Sequence, residues 1–209
     1  MTRKVAAPQF GYLIGILALA VASASAQDAA VPEPDAYRTQ DYRTATPATL
    51  KGARVITTGE AAAIWRDGGA VFIDVLPRAP RPTGLPPGTI WRDKPRLDIP
   101  GSVWLPDTGY GELARVTEDY FRKGLEHAAG GDRSKMLVFY CLRDCWMSWN
   151  AAKRALAMGY ANVAWFPDGS DGWQEAGLPQ AEAQPAEGRP DLNPATVGSP
   201  APAQTGAAR

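Results

Sequence analysis

Met136-Leu-Val-Phe-Tyr-Cys141-Leu-Arg-Asp-Cys145-Trp-Met-Ser-Trp-Asn150 is the stretch on which the reading of this chain turns. Residues 136–140 form a short, unbroken apolar run, the pattern of a strand buried on both faces. Ser148 to Met158 reads as a helix, with Ser148 as N-cap, alanines and Leu156 along its length, and Gly159 at the C′ position. The only two cysteines of the chain, Cys141 and Cys145, therefore lie between a strand end and a helix start. Backbone N–H groups and the positive end of a helix dipole favour thiolate over thiol there, and the thiolate is the nucleophile.

Working outward, strands and helices alternate. Ala53 to Ile56, Ala70 to Val75, Ser102 to Leu105 and Asn162 to Phe166 read as strands. Thr58 is expected to cap a helix running to Asp67, with Glu60 in its first turn. Thr117 to Ala129 places Tyr120, Phe121, Leu125 and Ala128 on one helical face, and Asp171 to Ala176 forms a last short helix. This order predicts an α/β fold: one domain with a mainly parallel central sheet flanked by helices on both faces. In such sheets sites form where strand carboxyl ends meet helix amino ends, which is where the cysteine loop stands.

The flanks read differently. Residues 1–26 have the form of a secretory signal: Arg3 and Lys4, an apolar run from Tyr12 to Ala22, then Ala24-Ser-Ala26. Export to a periplasm, as a soluble chain after cleavage, is the expectation. Residues 27–50 read as a flexible leader, 51–180 as the folded domain and 181–209 as a disordered Ala/Pro-rich tail too poor in large apolar residues to offset its ordering entropy. Without the signal, 20 basic side chains face 22 acidic ones, a balance that argues against nucleic acid as partner. The single histidine, His127, is expected on a helix surface, and it argues against both a Ser-His-Asp triad and a four-ligand zinc site.

Five pieces, in order, resemble the rhodanese-like domain family over residues 53–179. Val71-Phe-Ile-Asp74-Val75 is similar to its strand ending in Asp-Val, and Asp98-Ile-Pro-Gly101-Ser to its Ile-Pro-Gly-Ala turn. Leu137 to Cys141 matches the strand and nucleophile. Ala151 to Val163 matches the helix-Gly-x-x-Asn-Val segment, and Gly169 to Pro179 the closing Gly/Trp/Pro segment. The resemblance implies that Cys141 carries sulfane sulfur as a persulfide, cradled by loop amides from Leu142, Arg143, Asp144, Trp146 and Met147. It implies a supporting pair in Asp74 and Arg78.

The chain also departs from the family pattern. With Ser148 as N-cap, the loop from Cys141 to Met147 has the seven-residue length of phosphatases of this fold, but Met147 occupies the place of their phosphate-binding arginine, which argues against phosphatase activity. Arg143 either supplies the missing charge or is a solvated loop residue. The histidine usual before Ile-Pro-Gly is Asp98 here, and the Pro/Arg-rich segment 76–97 is long. The Cys-x-x-x-Cys-Trp run resembles an exported subgroup associated with catabolism by alcohol dehydrogenases that use pyrroloquinoline quinone (PQQ).

Three roles for Cys145 stay open: resolving a persulfide or sulfenate on Cys141, forming a permanent structural disulfide, or serving a cofactor or metal pair. Trp146 and Trp149 are expected to pack one into the domain and one over the site edge, or else to offer a flat platform to a quinone-like ligand. No cofactor is required by thiol chemistry; PQQ is the candidate. Partners are a small sulfur donor or thiol acceptor and a PQQ-dependent dehydrogenase system.

Overall fold

The computed structural model describes residues 31–79, 82, 84–90 and 94–190. The expected signal segment 1–26 and most of the expected tail lie outside these residues. Five strands form one sheet in the order β1-β6-β5-β2-β4, parallel throughout. They are β1 (Arg54–Val55), β2 (Ala70–Asp74), β4 (Val103–Trp104), β5 (Met136–Tyr140) and β6 (Val163–Trp165). The helices are α1 (Thr58–Asp67), α2 (Arg115–Ala129), α3 (Trp146–Ala157) and α4 (Gly169–Glu175). The α/β fold with a parallel sheet between helices stands as expected. No helix of the described residues is long and apolar enough to cross a membrane.

Side-chain alternation along β5 divides the core. Leu137 and Phe139 face a cluster with Phe121 and Leu125 of α2 and Trp149 of α3. Val138 and Tyr140 face the opposite cluster, with Ala61 and Ala62 of α1 and Trp173 of α4. Because successive strand residues point to opposite faces, a run apolar at every position requires cover on both sides. That requirement is why β5 lies in the middle of the sheet, paired with β2 and β6.

Four boundaries and two segments differ from the sequence expectation. The N-cap of α1 is Thr57, whose hydroxyl and the Glu60 carboxylate cap each other's backbone; Thr58 is the first helical residue and donates to Asp168 instead (2.9 Å). α2 starts two residues early, at Arg115, and α4 at Gly169. α3 starts at Trp146, with Cys145 as N-cap, so Ser148 lies inside the helix and donates to the Cys145 carbonyl (3.1 Å). The loop after Cys141 is accordingly shorter than a Ser148 cap would make it.

A second, two-stranded antiparallel sheet joins β3 (Arg96–Asp98) to β7 (Ala181–Ala183). One strand comes from the Pro/Arg-rich segment and the other from the expected tail. Beyond β7, Ala186 bonds the Trp104 carbonyl (2.8 Å) and Arg189 pairs with Asp107 (3.1 Å), so residues 181–190 are part of the fold.

The described part of the expected leader, residues 31–50, also packs against the domain. Arg38 and Asn150 exchange bonds, main-chain N–H to Oδ1 (2.9 Å) and Nδ2 to main-chain O (2.8 Å). A Cβ on Gly111 would overlap the Arg38 carbonyl, so the approach depends on glycine there. Leu50 is buried, and the Trp149 indole donates to the Thr49 carbonyl (3.1 Å).

Candidate active site

Cys141 follows β5 directly, and Cys145 caps α3. Their Cα atoms are 6.2 Å apart, within the range a disulfide needs, and the two sulfurs are bonded. Both are buried, at 0 % and 2 % exposure, against Trp146, Met147 and Val75. Between them Asp144 takes a left-handed conformation (φ 51°), which turns the chain back tightly enough to bring the fourth residue onto the first.

The Cys141 carbonyl is held from α4. The Ser170 N–H donates to it (2.9 Å) and so does the Ser170 hydroxyl (3.2 Å). A Cβ on Gly169 (φ 55°) would overlap this carbonyl, so glycine is needed both for conformation and for contact. Two loop amides are taken: Arg143 N–H donates to the Asp171 carboxylate (3.0 Å) and Trp146 N–H to the Tyr42 carbonyl (2.9 Å). The turn over Arg143 and Asp144 directs the Cys145 amide back toward the Leu142 carbonyl, and among the described residues the amides of Leu142 and Asp144 have no backbone acceptor. They are the donors left to stabilise negative charge on a Cys141 sulfur.

Arg143 does not bring free charge to the loop. Its guanidinium grips Glu175 with two bonds (2.8 and 2.7 Å) and lies 3.8 Å from Asp168. The Arg143 bonds in turn hold the Glu175 carboxyl below its usual range. Met147, in the first turn of α3, is 8 % exposed and packs against Gly109. Neither residue offers an anion the arginine that a phosphatase loop closes on.

Asp74 ends β2, fully buried, and its partner is Arg96, not Arg78. Arg96 Nε donates to Asp74 Oδ2 (2.7 Å), and Leu76 N–H donates to Oδ1 (2.9 Å). Arg78 instead lies beside Asp107, whose carboxyl burial raises against the pull of Arg189 and then of the Arg78 backbone and charge. The correction has a geometric cause: the chain from Leu76 returns through β3, which sets Arg96 over the carboxylate while Arg78 leaves toward solvent. Arg96 Nη2 also donates to Ser170 Oγ (3.2 Å), which links Asp74 through Ser170 to the Cys141 carbonyl.

Sequence reading gave Asp98 no role. Its carboxyl is bonded by Ile99 N–H (2.9 Å) and by the Tyr140 hydroxyl, which also reaches Ser102 Oγ (2.7 Å). Arg96 is 3.8 Å away. Burial, then the nearby Asp74 charge, push Asp98 up to about 7; burial also raises Asp74, against the pull of Arg96. The visible signal was an aspartate where the resembled motif carries a histidine.

Trp146 and Trp149 are both buried, so neither covers a site edge or presents a free ring face. The Trp146 indole N–H lies over Thr44 Oγ1 (3.2 Å) and the Ala45 carbonyl (3.1 Å), and Arg38 stacks on its ring (5.2 Å). Lys153 stacks on Trp149 (4.7 Å). His127 is exposed on α2 as expected. Among the described residues no group of three or more His, Cys, Asp and Glu is placed to hold a metal ion.

A cleft of about 370 Å³ opens beside the loop. Leu142 and Ser170 of the site line it together with Leu76, Trp104, Lys94 and Leu97.

The model of the rhodanese-like domain matches residues 57–176, more than half of the chain. The chain belongs to the rhodanese-like domain family. No curated protein sequence matches it. Among solved structures it is similar to a thiosulfate sulfurtransferase from Pseudomonas aeruginosa, at 18 % identity and a TM-score of 0.44, over 64 % of this chain and 21 % of that one. This chain thus spans about a fifth of the Pseudomonas protein. A polysulfide-sulfur transferase homodimer from Wolinella succinogenes is similar at 16 % identity and TM-score 0.40, over 63 % and 80 % of the two chains. An uncharacterized protein from Saccharomyces cerevisiae is similar at 22 % and 0.36, over 60 % and 93 %.

Proposed function

We propose that this protein is an exported rhodanese-like thiol protein that accepts sulfane sulfur on Cys141 and resolves it with Cys145. The carrying observation is the pairing of Cys141 with Cys145 in a strand-to-helix loop that leaves the Leu142 and Asp144 amides without a backbone acceptor. In the reduced form, the Cys141 thiolate attacks the sulfane sulfur of a donor and becomes Cys141–S–SH. The Cys145 thiolate then attacks Cys141 Sγ, the S–S bond to the outer sulfur breaks, and HS⁻ leaves with the electron pair. The Cys141–Cys145 disulfide is the product of that step, and an external dithiol returns it to two thiols. The test is sulfide release from a sulfane donor in the presence of a dithiol reductant. Wild type turns over; Cys141→Ser abolishes it, and Cys145→Ser slows it at the resolving step. Absence of turnover by fully reduced wild type overturns the reading.

A second reading rests on the burial of both sulfurs and of Trp146 beneath residues 42–45. In it the disulfide is permanent and the protein is a non-catalytic accessory of a PQQ-dependent alcohol oxidation system, or binds PQQ itself. Periplasmic location and the PQQ association rest on the signal-like segment 1–26 and the Cys-x-x-x-Cys-Trp run. A disulfide resistant to dithiol in the native protein, together with saturable binding of PQQ, favours this reading. Ready reduction without PQQ binding removes it.

A further inference from the structure

The loop holds one cation, Arg143, and Glu175 and Asp168 neutralise it. A small dianion such as thiosulfate therefore finds no unpaired guanidinium in the loop itself. Three cations line the cleft: Arg96, which Asp74 holds, Arg78, which lies beside Asp107, and Lys94. Lys94 is exposed and has no ion-pair partner among the described residues. Leu76, Pro77, Trp104, Pro95 and Leu97 give the cleft its apolar part, beside the polar Ser170, Asp171 and Gln174. Leu97 is 51 % exposed and so adds reachable apolar surface to the cleft. Lys94 and Leu97 stand at the cleft because β3 pairs with β7, and that small sheet was built from the long segment after β2 and the chain beyond α4. A volume of about 370 Å³ falls within the range of organic-ligand sites, far more room than an inorganic oxyanion fills.

Resting on the sulfur-accepting role above, we propose that the donor is an organic persulfide, R–S–SH, whose R group is an apolar body ending in a carboxylate. The carboxylate pairs with Lys94, the apolar body packs on Trp104 and Leu97, and the persulfide reaches Leu142, the residue after Cys141. Cys141 thiolate attacks the outer sulfur, the donor S–S bond breaks, and the electron pair leaves with R–S⁻. The proton stays on the transferred sulfur as Cys141–S–SH. Separating the charge from the sulfur suits a loop whose own arginine is occupied.

The experiment uses the full reduced chain and three donors: the persulfide of para-mercaptobenzoate, the persulfide of thiophenol, which lacks the carboxylate, and thiosulfate. The expected order of kcat/KM is carboxylate-bearing donor over ring-only donor by about tenfold, with thiosulfate not saturating. Lys94→Glu is expected to lower kcat/KM for the carboxylate-bearing donor about tenfold more than for the ring-only donor. Calorimetric titration with para-(methylthio)benzoate, which has no transferable sulfur, reads the site apart from the chemistry. Binding that Lys94→Glu weakens supports the site even if Cys141 takes no sulfur. Equal use of the two aromatic donors, or sulfur transfer from saturating thiosulfate without binding of the thioether, overturns this proposal and leaves the sulfur-accepting role in place.

Discussion

Asp98 shows how one carboxyl can tie stability to pH. It is buried beside Asp74, and its proton is held up to about 7 against an ordinary value of 3.8. Between about pH 4 and pH 7 the folded state therefore keeps a proton that the unfolded chain has released. The contribution of Asp98 is full below that window and is lost as pH rises through it, by an amount on the order of a few kcal/mol. Asp98→Asn mimics the protonated carboxyl. It is expected to flatten the fall in unfolding free energy between about pH 4 and about pH 7, measured by urea titration; an unchanged slope contradicts the assignment. Arg96 is the second residue of consequence. Arg96→Met leaves Asp74 buried without its cation and is expected to cost about 3–5 kcal/mol. Asp74 itself was legible in the sequence, because it ends an apolar strand. Its partner was not, because a pairing across 22 residues depends on where β3 folds back, and proximity in sequence favoured Arg78.

At the scale of elements, the central strands and helices were legible because burial imposes a period on them, and β5 matched its expected span at both ends. The start of α3 was misplaced since Ser148 resembles a cap, whereas the Tyr42 carbonyl receives the Trp146 amide from outside the helix and lets α3 begin earlier. Residues 31–50 escaped notice for a related reason. They form no regular element among the described residues, and their attachment is through single bonds and covered tryptophans, which leave no periodic trace. β3 and β7 are three residues each, with Leu97 their one large apolar side chain, too short to show alternation. Trp146→Ala removes a ring buried beneath this segment and is expected to cost about 3–5 kcal/mol. The same variant should make the chain between residues 31 and 50 more susceptible to limited proteolysis. Loss of stability without new cleavage there would show that the segment does not depend on Trp146.

For the whole molecule, the disulfide closes a loop of only a few residues, so it contributes little to the stability of a domain with two apolar clusters. Chain entropy gives about 2 kcal/mol for so small a loop. Reduced protein is therefore expected to stay folded, with a thermal midpoint lower by several degrees; unfolding on reduction would make the pair a structural staple. A fold that survives in both redox states is what a cycling pair requires. The most direct measurement is mass spectrometry of the Cys141 peptide after reduced protein meets one equivalent of a sulfane-sulfur donor and is alkylated. Cys145→Ser is predicted to carry one added sulfur on Cys141, while wild type returns to the Cys141–Cys145 disulfide and releases sulfide. No added sulfur on Cys141 in Cys145→Ser, with the donor intact, would contradict the account.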